Sequence, residues 1–389
     1  MTFLFSALIF AVMLCLPMAD EIFVFIPKTT VAESDNARLP VLKPTMASAN
    51  ALFDRLRGGY LEKHFGFRGL LIKWYNYLDA YVLASTFSSS PVVVGKKNWL
   101  FLSQDGPDRN ILEDFRTAPP LPEEKMRWIM DDLIARRDWL AEHGIKYLVA
   151  VAPNKNTVYP EMLPGGFEKA ADNSQLDQLL RYIREHSTLD VVDLRPALFA
   201  EKEKHQIFYA TDSHWNARGG YVGYREIMKA LKRFYPDMEP APREQFAEVV
   251  YRGLPGDLAF MLGLQEQLPE ERLLYVSKHN ARGTASDAPS DPHYFQPPQA
   301  SEIKGSDLPR ALFFHDSFFW ELMPFLAEHF SRAEYIWLNP QSGHETRFFN
   351  KDLILKEKPD LVVDEFTERY FVPSAKPFPK TGLEKDKGE

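Results

Sequence analysis

The run Tyr147-Leu148-Val149-Ala150-Val151-Ala152 decides the fold. Six consecutive apolar residues leave no face for water, so they predict a strand covered on both sides, as in a parallel sheet. Upstream, Glu123–Glu142 predicts a helix. It follows Pro122, spaces Met126, Ile129, Leu133 and Leu140 at helical intervals, and meets Gly144 as a stop. Downstream the order repeats. A helix from about Asn173 to His186 leads into Val191-Val192, and a second helix is predicted over Asn216–Phe234. Strand Ala311–Phe314 is followed by a helix over Phe318–Phe330. Tyr335–Leu338, a short helix and Leu361–Val363 close the series. This alternation predicts an α/β fold with a mostly parallel sheet flanked by helices.

Around that body the chain divides readily. Phe3–Met18 is nearly all apolar, shorter than the roughly 20 residues of a full membrane span and longer than a signal core needs. It lacks a basic n-region and a small-x-small cleavage site. Residues 1–26 are therefore read as a signal or membrane anchor, which places the body in the periplasm and ties it to the membrane through this segment. A buried N-terminal helix of a cytosolic protein and, through Cys15, a lipoprotein are the other readings of the same stretch. Residues 27–50 read as an extended linker and 51–372 as one domain, beginning with an amphipathic pattern over Ala51–Leu83. Val92–Leu102 reads as two short strands around Gly95-Lys96-Lys97-Asn98. Residues 278–309, rich in Ser, Asp, Pro and Ala, read as a long surface loop or lid, and 373–389 as a disordered tail. No internal repeat is visible.

The chain has 389 residues, a net charge of −8 and one cysteine, Cys15. One cysteine excludes a disulfide framework and a cysteine-based metal site. The acidic balance, with no dense Lys/Arg run, argues against nucleic-acid binding. No nucleotide, acyl-carrier or other cofactor motif appears.

Two segments carry chemistry. In Phe313-Phe314-His315-Asp316-Ser317-Phe318-Phe319 a strand gives way to Asp-Ser and then to an apolar helix. Functional groups of open α/β sheets gather beyond the carboxyl ends of strands. A serine there needs a base to become a nucleophile. The plainer reading is an N-cap, since Asp and Ser both favour that position. In Thr211-Asp212-Ser213-His214-Trp215-Asn216, the Asp-x-His spacing puts both side chains on one side of an extended segment. Asp212 would then orient His214 as base. Capping and a metal site through Asp212 and His214 are the alternatives, although no second cluster with ligand spacing accompanies them.

The order of these motifs resembles the alginate O-acetyltransferase AlgJ/AlgX group, an SGNH-hydrolase-like family, from about residue 60 to residue 372. The family's G-x-x-x-W-L-F element looks like Gly95-Lys96-Lys97-Asn98-Trp99-Leu100-Phe101, and P-x-K-x-x-x-Y-P like Pro153-Asn154-Lys155-Asn156-Thr157-Val158-Tyr159-Pro160. D-x-H-W matches Asp212-Ser213-His214-Trp215, and G-D-S-F matches His315-Asp316-Ser317-Phe318. Pro359-Asp360-Leu361-Val362-Val363-Asp364-Glu365-Phe366-Thr367-Glu368-Arg369 looks like the closing element. The resemblance implies an SGNH-hydrolase-like serine O-acyltransferase with Asp212, His214 and Ser317 as triad and no cofactor. It would acetylate a polysaccharide acceptor with acetyl groups delivered by a membrane-bound acyl-donor protein. Two departures stand out. His315 replaces the family's glycine, where a side chain would crowd the oxyanion site or join it. The short stretch after Arg369 leaves no room for an AlgX-type carbohydrate module, which brings the chain nearer the AlgJ type.

Asn154, Lys155 and Arg218 are the further substrate-binding candidates. Asn154 and Lys155 follow a buried strand, with a plain loop turn as the other reading, and Arg218 follows His214 closely enough to hold an acidic sugar, although pairing with a surface carboxylate is the plainer reading. Asp316 reads as a cap, and Trp99, Trp215 and Trp320 as core residues. Two rivals share the triad segment: a carbohydrate esterase, with water as acceptor, and a non-catalytic polysaccharide-binding scaffold.

Overall fold

The computed structural model describes Leu16, residues 68–78 and residues 91–372, apart from 107–108, 170–171, 254, 280, 288–297 and 339–348. The expected anchor (Leu16 apart), linker and tail lie outside the described residues. No described helix is long and apolar enough to cross a membrane.

In chain order the principal elements are α1 (Arg68–Leu78), β1 (Val92–Val94), β2 (Leu100–Leu102), α2 (Glu123–Glu142), β3 (Lys146–Ala152), α3 (Gln175–His186), β4 (Val191–Asp193) and α4 (Ala217–Leu231). Then come β5 (Phe246–Arg252), α5 (Asp257–Leu262), β6 (Glu271–Ser277), β7 (Thr284–Ser286), β8 (Gln299–Glu302), β9 (Arg310–His315), β10 (Arg332–Trp337), α6 (Lys351–Glu357) and β11 (Leu361–Thr367). The main sheet runs β4-β3-β11-β9-β10-β8-β7. Its first five strands are parallel, and β8 and β7 extend it antiparallel. The fold is thus α/β and mostly parallel, as the alternating pattern predicts.

The unbroken apolar runs are explained by cover on both faces. Leu148, Ala150 and Ala152 of β3 join Phe313 and Val363 beneath α4, which contributes Tyr224, Ile227, Met228 and Leu231. Tyr147, Val149 and Val151 face the other way, with Leu312, Phe314 and Val362. They meet Ile129, Leu133 and Leu140 of α2 and Leu176, Leu179 and Ile183 of α3. Each fully buried aliphatic or aromatic side chain contributes about 1.5–3 kcal/mol, so these two layers hold the strand ends rigidly.

Two expectations fail. The stretch 278–309 is not all surface loop, because β7 and β8 add two strands to the sheet. Gln299-Ala300-Ser301-Glu302 is short and polar, as suits strands near a sheet edge, and gives no apolar signal. The helix expected over Phe318–Phe330 is broken. Ser317–Glu321 forms a 3-10 turn and Met323–Leu326 a separate short helix. Pro324 sits in that helix's first turn, where its missing N–H leaves nothing unpaired.

Candidate active site

Strand β9 ends at His315, and Asp316 caps the 3-10 turn that begins with Ser317. The Asp316 carboxylate is fully engaged. Oδ1 accepts from Phe318 N at 2.9 Å, and Oδ2 from Thr367 N at 2.6 Å and Thr367 Oγ1 at 2.5 Å. It fixes the turn and binds it to β11. His315 does not enter the site: its ring is buried, Nδ1 bonds the Asp316 carbonyl at 2.6 Å, and it stacks on Phe319. Burial lowers its pKa to about 4, so it is neutral. Its Nε2 and Glu365 Oε1 have no partner among the described residues.

Asp212 and His214 lie between strand-like Ile207–Tyr209 and α4, whose first turn is capped by Asn216. The segment is a turn and not an extended strand. Asp212 Oδ1 accepts from the His214 backbone N–H at 3.0 Å, which curls the chain so that the carboxylate meets the ring of the same residue. His214 Nδ1 lies 2.7 Å from Asp212 Oδ1, and Nε2 lies 2.8 Å from Ser317 Oγ. With the Nδ1 proton donated to Asp212, Nε2 is left to accept from the serine hydroxyl.

The two segments are bolted together by aromatic packing. Trp215 is fully buried, donates Nε1–H to the Phe318 carbonyl at 2.9 Å, and meets the Phe318 ring edge-on at 5.3 Å. Phe318 also lies 5.0 Å from the His214 ring. Close approach explains Gly219-Gly220. A Cβ on Gly219 would meet the Ile207 carbonyl at 2.5 Å, and one on Gly220 would meet Glu321 Cβ at 2.5 Å.

Charge around the pair is dense. Arg272 Nη2 donates to Asp212 Oδ2 at 2.8 Å, and the Asp257 N–H reaches the same oxygen at 3.4 Å. Asp257 accepts from Ser213 N at 2.7 Å and Ser213 Oγ at 2.5 Å, and its Oδ2 stands 3.7 Å from His214 Nδ1. Burial works to raise the Asp212 pKa, but the hydrogen bond and charge of His214, with Arg272, outweigh it and hold the carboxyl well below the usual range. Burial also works against the imidazolium of His214, and Asp212 with Asp257 outweighs it in turn, so the His214 pKa is raised. Asp257 is pushed up, first by desolvation and then by the Asp212 charge. Burial drives Glu321, four residues after Ser317, up to about 7.

Ligand-type atoms of Asp212, His214 and Asp257 lie within 4.8 Å of one another. Arg272 already sits on Asp212 Oδ2 and the imidazole on Oδ1, so a cation there would have to displace one cation and one N–H. The donor set suits a proton relay better than a metal.

Of the other candidates, Lys155 is corrected. Its buried Nζ donates to the carbonyls of Leu100 at 2.7 Å, Ala210 at 2.7 Å and Asp212 at 2.9 Å. All three protons are spent inside the protein, so it braces the His214 segment and does not face substrate. The Nε and Nη2 edge of Arg218 forks onto Glu248. Asn154 follows β3 at the same sheet edge as Ser317. Its Oδ1 accepts from Arg369 Nη1 at 3.1 Å, and Arg369 lies over the Phe318 ring. Trp99 and Trp215 are core residues. Trp320 is half-exposed against Trp337. Arg272 and Asp257 escaped the sequence reading, since neither lies within 40 residues of His214 in any motif.

The family model described as SGNH hydrolase-like domain, acetyltransferase AlgX, matches residues 92–301, more than half of the chain. It takes in Asp212 and His214 and stops short of Ser317. A protein described as probable alginate O-acetylase AlgJ, from Pseudomonas aeruginosa, is 26% identical over 289 residues, covering 72% of this chain and 70% of that one. Bacillus cereus PatB1 with a sulfonyl adduct superposes with a TM-score of 0.52 at 17% identity, over 74% of this chain and 98% of that chain. A DHHW family protein from Eubacterium siraeum gives a TM-score of 0.50 at 16% identity, over 72% and 91%. At these identities the two structures speak for the fold.

Proposed function

The chain belongs to the AlgX family of SGNH hydrolase-like acetyltransferase domains, and from that premise we propose that it moves an acetyl group through Ser317 onto hydroxyls of a cell-envelope or extracellular polysaccharide. The observation that carries the reading is the relay Asp212–His214–Ser317, with links of 2.7 and 2.8 Å.

His214 Nε2 takes the Ser317 proton as Oγ attacks the acetyl carbonyl. The resulting imidazolium is stabilised by Asp212. The tetrahedral oxyanion collapses, the donor leaves with the proton from His214, and an acetyl-serine remains. A sugar hydroxyl then gives its proton to His214 and attacks the acetyl carbon, and as the tetrahedral intermediate collapses His214 returns the proton to the departing Ser317 oxygen. Of the backbone donors expected around Ser317, the Phe318 N–H is taken by Asp316. The Ser317 N–H is assigned to the oxyanion, and the Asn154 side-chain amide, whose oxygen is held by Arg369, to the substrate carbonyl.

In this reading 51–372 is one acyltransferase domain, 1–26 holds it at the periplasmic face of the membrane, and a membrane-bound partner hands it the acetyl group. The similarity to a probable alginate O-acetylase supports a polysaccharide acceptor. The test is incubation with p-nitrophenyl acetate, with and without candidate oligosaccharides, read by intact mass and product analysis. A Ser317-dependent acetyl adduct passed to sugar is expected. Release to water alone points to an esterase, and turnover that survives Ser317→Ala overturns the triad.

A further inference from the structure

Two carboxylates compete for the single Nδ1 proton of His214. Asp212 Oδ1 holds it at 2.7 Å, and Asp257 Oδ2 waits at 3.7 Å. If the ring turned to Asp257, Nε2 would swing away from Ser317. Both acids have backbone or side-chain partners nearby, Asp212 the His214 N–H at 3.0 Å and Asp257 the Ser213 N–H and hydroxyl; the charge that separates them is Arg272, whose guanidinium touches Asp212 Oδ2 at 2.8 Å.

Arg272 comes from β6, which pairs with β5 as a separate two-stranded ribbon beside the main sheet. Several contacts fasten this ribbon to the His214 segment. Tyr209 Oη donates to the Leu273 carbonyl at 3.2 Å and accepts its N–H at 3.1 Å. Glu270, just before β6, accepts from Ala210 N, from Thr211 N at 3.0 Å and from Thr211 Oγ1 at 2.5 Å. The Arg272 guanidinium lies over the Tyr209 ring at 4.3 Å and also donates to the Pro255 carbonyl at 3.3 Å. Its side chain is 19% exposed, so its attraction for Asp212 is weakly screened.

We infer that Arg272 is a positioning residue of the acyl-transfer site, which makes Asp212 and not Asp257 the partner of His214, and that the β5–β6 ribbon is the clasp that delivers it. The inference rests on the triad reading above. The charges facing the pair from each packed element are Arg272 and Glu270 from the ribbon, Asp257 from α5, and Glu321 from the Ser317 turn. Arg369 and the Lys155 ammonium on the Asp212 carbonyl complete the set. Removing Arg272 leaves Asp212 Oδ2 with the 3.4 Å contact from the Asp257 N–H as its remaining bond to the ribbon side. Oδ1 keeps the His214 backbone N–H, but the carboxylate loses the anchor on Oδ2, and Asp257 gains ground as a claimant on the imidazole.

The experiment compares Arg272→Met, Asp257→Asn and the double variant in the full chain. Steady-state hydrolysis of p-nitrophenyl acetate is read alongside histidine 15N NMR, with His214 assigned by its loss in His214→Gln. Arg272→Met is expected to lower kcat about 10- to 100-fold with little change in KM, the range of one lost hydrogen bond to a charged group. Its His214 pKa should rise, because the imidazolium then faces two carboxylates without the guanidinium. The decisive readout is recovery: Asp257→Asn removes the competing charge, so the double variant should regain a large part of the loss. A merely structural role for Arg272 predicts no recovery. Unaltered His214 titration and kcat in Arg272→Met, or a loss that Asp257→Asn does not relieve, overturns the inference. If Arg272→Met does not fold, Arg272→Lys keeps the charge without the planar fork and faces the same criterion. The NMR readout in a Ser317→Ala background separates this from the nucleophile assignment, since His214 pairing is measured there without any acyl transfer.

Discussion

Replacing Lys155 with methionine removes three buried hydrogen bonds while nearly preserving volume. The ammonium bonds the carbonyls of Leu100, Ala210 and Asp212 and lies 4.9 and 5.2 Å from the Trp99 and Phe101 ring centroids. The Ala210 carbonyl keeps the Leu100 N–H at 2.8 Å after the change, so two carbonyls lose their donor. A buried acceptor left without a partner costs about 1–3 kcal/mol, which gives about 2–6 kcal/mol for the pair. Relief of the buried charge and the added burial of a thioether offset part of this, so a net loss of about 2–4 kcal/mol is expected. Burial draws the Lys155 pKa down to about 7, against the charges of Glu270, Asp212 and Asp257. Urea unfolding is therefore measured at pH 6, where the parent carries the ammonium. With an m-value near 3 kcal/mol/M, the midpoint should fall by about 1 M. Acyl transfer should fall too, because the Asp212 carbonyl is released at its backbone end. An unchanged midpoint refutes the bracing role, and activity lost at an unchanged midpoint returns Lys155 to the substrate side.

Four further outcomes are expected. The acid limb of kcat/KM should lie above the ordinary histidine value of 6.5, since His214 is raised and must be neutral to accept the Ser317 proton; a limb at or below 6.5 counts against the relay. The Asp212 carboxyl, held below its ordinary 3.8, contributes stability that is present above that value and lost as pH falls through its folded pKa, which pH-dependent urea unfolding of Asp212→Asn against the parent checks. Asp316→Ala frees three buried donors and should cost about 3 kcal/mol or more in unfolding free energy, at about 1–3 kcal/mol each, with activity lost in parallel; a fully stable variant would contradict the cap. Gly220→Ala drives a Cβ to 2.5 Å from Glu321 Cβ, so the Ser317 turn must shift; about 1–3 kcal/mol of destabilisation and a tenfold or larger drop in kcat are expected, and wild-type kinetics would show that the turn yields freely.

What the sequence reveals depends on range. Strands β3, β9 and β11 are legible because burial on both faces writes itself as an apolar run. Asp212 and His214 are legible because one turn of chain joins them. Arg272 is not, because its partner lies 60 residues away and no local period marks it. The β5–β6 ribbon does contain Val249-Val250-Tyr251 and Leu273-Leu274-Tyr275-Val276, but α5 separates the strands, so no tight-turn signal links them. Lys155 misleads for a related reason. A polar residue after a strand reads as exposed, yet here carbonyls from two distant segments converge on it. The polar strands β7 and β8 and the break at Pro324 fail on composition, since Gln-Ala-Ser-Glu resembles a loop and Phe318–Phe330 resembles a helix until the proline is weighed.

The hydrogen-bonded chain Asp212–His214–Ser317 is closed across great chain distance. His214 and Ser317 are 103 residues apart, and Arg369 reaches back 215 residues to Asn154. Closing a loop of about 100 residues costs on the order of 4 kcal/mol of chain entropy, before any constant term. That cost is met only when sheet, ribbon and aromatic anchor form together, so assembly of the site belongs to the late stage of folding. A nascent or partly folded chain carries its serine without a base, and on refolding recovered activity should keep pace with Trp215 burial. Under the proposed function, competence for acyl transfer would thus report completion of the whole fold, and a chain still in transit would have no means of attacking the esters around it.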